Sequence, residues 1–127
     1  MATDHHNEIP IEIRLKRIYE PGSRDDGFRI FVDRLWPRGL KKSEAGVDLW
    51  VREIAPTTEL RKWFNHDPQR WTEFVADYNF QLRKKEKVAA ELIDLIKTHK
   101  KVSLLYAAKD EEHNNALVLK RYLDKLV

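Results

Sequence analysis

Three short stretches concentrate side chains able to bind anions or move protons. Val32-Asp33-Arg34-Leu35-Trp36-Pro37-Arg38-Gly39 sets Arg34 and Arg38 around a proline turn. From there two guanidinium groups can clamp a carboxylate or phosphate through paired hydrogen bonds. Asp33 adjoins Arg34, to orient it or to act as a general base; the alternative is an Asp–Arg pair that ties a loop to a sheet. In Arg61-Lys62-Trp63-Phe64-Asn65-His66-Asp67-Pro68, Asp67 is explained as a helix cap and Trp63, Phe64 and Trp71 as core. That leaves His66, a proton-transfer candidate or a simple hydrogen-bond donor. In Leu105-Tyr106-Ala107-Ala108-Lys109-Asp110-Glu111-Glu112-His113-Asn114, a strand runs through a slim alanine joint into a helix start. Unpaired N–H groups and Lys109 favour an anion there, whereas Asp110, Glu111 and Glu112 oppose one.

In a parallel sheet the first and third stretches emerge at the same edge, where strand carboxyl ends form a ligand crevice. Arg34, Trp36, Arg38, Lys109 and Asn114 then form the expected substrate-binding set. Asp33, His113 and His66 are the candidate catalytic groups. A divalent metal held by Asp33, His66, Asp110 and His113 is a rival use of the same residues, but the expected site holds none. No cofactor is legible, and whether the chain is an enzyme stays open. The glycines form neither a dinucleotide fingerprint nor a phosphate loop, and no serine elbow or His-Glu-x-x-His helix occurs.

The elements that position these residues follow from pattern. Ile9, Ile11, Ile13 and Leu15 alternate with polar neighbours over 9–18, which predicts a strand. PGSRDDG over 21–27 is turn chemistry with room for one helical turn. FRIFVDRLW over 28–36 is apolar on both faces, as in a covered central strand. Residues 48–54 are expected to be extended. Thr57 or Thr58 caps a first helix, and Asp67-Pro68 opens a second in which Trp71, Phe74, Val75, Tyr78 and Leu82 share a face. A third helix is expected over about 86–98, a buried strand over 102–108, and a last helix from Asp110 to about Leu126. Long helical crossovers imply an α/β fold with a mainly parallel sheet of about three or four strands covered by helices. Residues 1–8 read as a disordered leader, and 9–127 as a single domain.

The 127 residues are 42% hydrophobic, enough for one core, and 35% charged. With no cysteine, disulfides, thiolate metal sites and thiol nucleophiles are excluded. No apolar run suits a membrane span and no secretory signal is visible, so a cytoplasmic location without membrane contact is expected. The net charge of +3 hides a basic segment from Arg14 to Lys42. With an exposed Trp36, that segment makes nucleic acid a second possible partner, weaker than a small anionic ligand. The lysines at 84, 85 and 87 read as a solvated helix face. A protein-interaction module using the surface around Trp63 and Trp71 is the third reading.

KRIYEPGSRDDGFRIFVDRLWPRG (16–39), APTTELRKWFNHDPQRWTEF (55–74) and LLYAAKDEEHNNA (104–116) closely resemble the YeaO-like family of small bacterial and archaeal proteins, a domain of unknown function. The resemblance spans the chain from about Ile11 and implies a cytosolic α/β domain with no established reaction. The larger family often carries a Cys-His-Arg motif after the last strand. Here that joint has no cysteine, which removes thiol chemistry, and its histidine is matched by His113.

Overall fold

The computed structural model describes residues 9–127; the expected leader over 1–8 lies outside the described residues. Four strands, β1 (Glu12–Arg17), β2 (Phe28–Phe31), β3 (Leu49–Trp50) and β4 (Lys101–Tyr106), form an all-parallel sheet in the order β1-β4-β2-β3. The fold is α/β. β4 is central and nearly wholly buried, with apolar residues on both faces and its one buried polar residue, Ser103, hydrogen-bonded to the Asp26 carbonyl. β1 lies at the edge, with Ile13 buried and Glu12 and Arg14 exposed, as its alternation requires.

Period-2 geometry divides the core between the two faces of the sheet. Ile30, Val102 and Leu104 join the larger cluster with Phe74, Tyr78, Leu92, Ile96 and Leu119. These come from the long helices α3 (Trp71–Arg83), α4 (Glu86–His99) and α5 (Asn115–Asp124). Leu60 and Phe64 of α2 (Thr58–Phe64) complete that layer. Phe31 and Leu105 pack the other way, against Ile18 and Ala45, the latter from a one-turn helix α1 (Lys42–Ala45). One face is therefore covered by the long helices, while the other is closed by the short α1, loop and the aromatic group of Phe31, Trp36 and Trp50.

Several boundaries differ from the sequence expectation. β1 starts at Glu12, since Ile9 is exposed and Pro10 has no N–H for a ladder. β2 ends at Phe31 rather than near 36: the Ala107 N–H is taken by the Asp33 carboxylate instead of a strand carbonyl. β4 accordingly ends at Tyr106, short of Ala108. The segment 48–54 is only briefly a strand and then turns into a 3-10 helix, Arg52–Ile54. Thr57 caps α2 by accepting the Leu60 N–H at 3.2 Å. Asp67 caps a 3-10 turn, Pro68–Arg70, that runs into α3. The last helix starts at Asn115, not after Asp110. Asp110 closes a side-chain turn on the N–H groups of Glu112 and His113, and Asn114 then caps the helix by accepting from Leu117 N–H at 2.9 Å. Glu111 and Glu112 therefore precede α5 and do not face its first turn.

Candidate functional site

β2 and β4 are neighbours, so the two loops leaving their carboxyl ends adjoin. With α2 and the turn after it they enclose a cavity of about 790 Å³. Asp33, Arg34, Trp36, Arg38, His66, Lys109, His113 and Asn114 all line it. Parallel pairing does this: Phe31 is in register with Leu105, so Asp33 and Ala107 come together two residues later.

Asp33 is half-buried in the wall. Its Oδ2 accepts the Ala107 N–H at 3.0 Å, whereas Oδ1 is buried with no hydrogen-bond partner. Burial pushes its carboxyl pKa above the ordinary 3.8; the Ala107 bond, the Asn115 amide and the positive charges of His66 and Arg61 act in the opposite direction. The Asn115 amide itself donates to the Val32 carbonyl at 3.2 Å.

Arg34 does not stand as a free clamp. Its Nε donates to Pro56 O at 3.0 Å and an Nη to Ala55 O at 3.1 Å, tying the cavity wall to the segment before α2. Lys85 donates to Glu53 O and Ala55 O, and the Tyr78 hydroxyl to Ile54 O at 2.6 Å. Lys85 is thus no part of a purely solvated face, and burial lowers its pKa. Burial likewise pushes the Tyr78 phenol up, with the Asp33 charge adding to it. Trp36 is half-buried and its indole N–H is bonded to Leu40 O at 2.6 Å, so it is not the exposed stacking platform expected. Asn114 is buried with both side-chain groups occupied: it caps α5 and donates to Asp110 O at 3.0 Å. It shapes the wall rather than offering a free amide.

The groups that remain available lie at the rim. Arg38 and Lys109 are exposed, as are Arg61, Lys62 and His66 on α2 and the turn following it. Asn65 and His66 adopt left-handed φ values of 46° and 55°, the tight reversal that brings His66 to the opening. His113 Nδ1 is 2.9 Å from Asp110 Oδ2, and its ring meets Trp71 edge-on at 5.2 Å. Backbone N–H of Glu112 and then the His113 ring hold Asp110 below the usual carboxylate range, so the pair has Asp110 ionised and accepting, with the far ring nitrogen left for a ligand. Among the described residues, no group of three His, Asp or Glu side chains is placed to hold a metal ion.

Tyr19, Arg61 and Lys62 also line the cavity and were not singled out individually from sequence. Tyr19 follows β1, so the rule that selects strand carboxyl ends could have found it. Arg61 and Lys62 read as ordinary surface charges on a short helix, and only tertiary packing brings them to the cavity opening. Arg17 supports the joint from outside, donating to the carbonyls of Ala108 at 2.9 Å and Ala107 at 3.2 Å.

A family model described as "Inactive DUF488-N3 subclade" matches residues 12–127. An uncharacterised protein of Escherichia coli K12, YeaO, is 42% identical over 91% of this chain and the whole of its own length. An uncharacterised Mycobacterium tuberculosis H37Rv protein, Rv3073c, is 43% identical over 55% of this chain and 59% of its own length. No solved structure matches the chain. No helix among the described residues is long and apolar enough to cross a membrane.

Proposed function

Since the chain belongs to the family described as the inactive DUF488-N3 subclade and is YeaO-like, we propose that it is a small cytosolic ligand-binding domain. In this reading the cavity at the carboxyl ends of β2 and β4 recognises an anionic group. The observation that carries it is the meeting of three separate sequence stretches around one cavity with Arg38, Arg61, Lys62 and Lys109 at its opening. Four cations about a concave, partly apolar site raise the local concentration of a small anion. His113, oriented by Asp110, adds a directed hydrogen-bonding group. Binding is favoured over turnover because the family is described as inactive.

Nucleic-acid binding draws less support. In the basic segment 14–42, Lys16 and Arg29 pair with Asp26, Arg17 and Arg34 bond backbone carbonyls, and Trp36 is packed. Amide NMR titration with inorganic phosphate, acetate and a short oligonucleotide, at low and moderate salt, tests the reading. Shifts from the small anions confined to 34–39, 61–66 and 109–115 support it, as does their weakening in an Arg38→Ala, Lys109→Ala double variant. Broad, salt-sensitive shifts with the oligonucleotide alone, or no response to any small anion, overturn it.

A further inference from the structure

We infer that the cavity takes a two-ended ligand, with a cationic hydrogen-bond donor such as an ammonium or amidinium group seated on Asp33 Oδ1 and a phosphate or carboxylate at the Arg38–Arg61–Lys62–Lys109 rim. The inference rests on the anion-binding reading above and adds the chemistry of the wall at Asp33. Buried carboxylate oxygens are nearly always hydrogen-bonded, and here one oxygen is bonded while the other has no partner. The groups that might have satisfied it are engaged elsewhere. Arg34, next in sequence, points its guanidinium at Pro56 and Ala55; the Asn115 amide, although near enough to lower the Asp33 pKa, makes its hydrogen bond to Val32 O; the Trp50 indole donates to the Asp33 main-chain carbonyl at 2.7 Å. Asp33 lines the cavity with Oδ1 itself covered, so a donor reaches it by displacing the side chains over it; the cavity then has an acceptor in its wall and cations at its rim. A simple anion satisfies only the rim. A ligand carrying a donor head satisfies both, and the apolar wall of Phe64, Phe74 and Ala107 suits the carbon skeleton between them.

The test is calorimetric titration with a graded series of ω-aminoalkyl phosphates and with alkyl phosphates of the same lengths. The expected result is that, at one spacer length, the amino compound binds about tenfold to a hundredfold more tightly than its alkyl partner, as a charge-assisted bond warrants. Asp33→Asn should erase that preference, and alkyl phosphates should bind it at least as tightly, because a negative charge near Arg61 is removed. The Ala107 amide, bonded to the same carboxylate, should shift further with the amino compounds than with their alkyl partners, and that difference should vanish in Asp33→Asn. Equal affinity of both series at every length, tighter binding of the alkyl series, or a preference that survives in Asp33→Asn overturns the donor-headed ligand and leaves the anion pocket standing. Binding of neither series overturns both.

Discussion

Asp33 and Arg34 are adjacent in the chain and are used in opposite ways. Asp33 holds a buried oxygen with no partner, an arrangement that costs stability. Asp33→Asn, nearly the same shape without the charge, is therefore expected to stabilise the fold by about 1–2 kcal/mol near neutral pH. Because the folded carboxyl has a pKa above the unfolded 3.8, the cost of ionising it is complete above the folded value and disappears as pH falls toward 3.8. Urea denaturation of both proteins across that range should show the gap closing in acid. Arg34 is the reverse case, a residue of functional type that braces the wall. Arg34→Ala should lower unfolding stability by about 1.5–3 kcal/mol, and Arg34→Lys should recover only part of it, because an ammonium cannot reproduce the two-pronged bond. Chemical denaturation of the two variants measures this.

At the scale of elements, the joint between β4 and α5 contains two capping signals in succession. Asp110 shapes the turn and Asn114 starts the helix. Asn114→Ala is expected to cost about 1–2 kcal/mol and to speed hydrogen exchange at Leu117, while Asp110→Ala leaves that amide protected. The start of β2 is as constrained. Gly27 has φ +64° and a Cβ there would lie 2.1 Å from the Lys101 carbonyl oxygen of β4. Gly27→Ala combines an unfavourable backbone region with a clash against main chain, and a loss of about 3 kcal/mol or more in thermal or urea unfolding is expected.

Across the whole molecule, Asp26 links elements distant in the chain. On the loop from β1 to β2, it accepts Lys16 Nζ at 2.9 Å and Arg29 Nη1 at 2.6 Å, and its carbonyl takes the Ser103 hydroxyl at 2.8 Å. Arg29 is buried and also donates to Gly46 O and Ala45 O, fastening α1 to the sheet. Burial works against the Asp26 charge, but bonds from Lys16, Ser23 and Arg29 outweigh it and hold the carboxyl well below 3.8. Removing one partner strands the other, so Asp26→Ala or Arg29→Ala should cost about 3–5 kcal/mol, a large share of a small domain's stability. The sign with pH is opposite to that at Asp33. Stabilisation by Asp26 is complete above the unfolded pKa of 3.8 and is lost as pH falls below it toward the folded value. Midpoints of urea unfolding for wild type and Asp26→Asn should converge in that acid range.

The α/β class, the parallel sheet and the helices over 58–64, 71–83 and 86–99 were legible in the sequence because they follow from local rules: alternation, 3.6-residue spacing, capping residues. The meeting of the first and third polar stretches was legible for a related reason, since parallel strands bring their carboxyl ends to one edge. What local rules could not decide was which of those polar groups are already occupied. The carbonyls that hold Arg34 lie 21 and 22 residues away, the amide bonded to Asp33 lies 74 away, and the hydroxyl that meets Asp26 lies 77 away. Only tertiary structure sets such pairings, because hydrogen-bond partners are chosen by position in space. It alone shows Arg34 and Asn114 as supports, Arg61 and Lys62 as rim, and Asp33 with one oxygen unmatched.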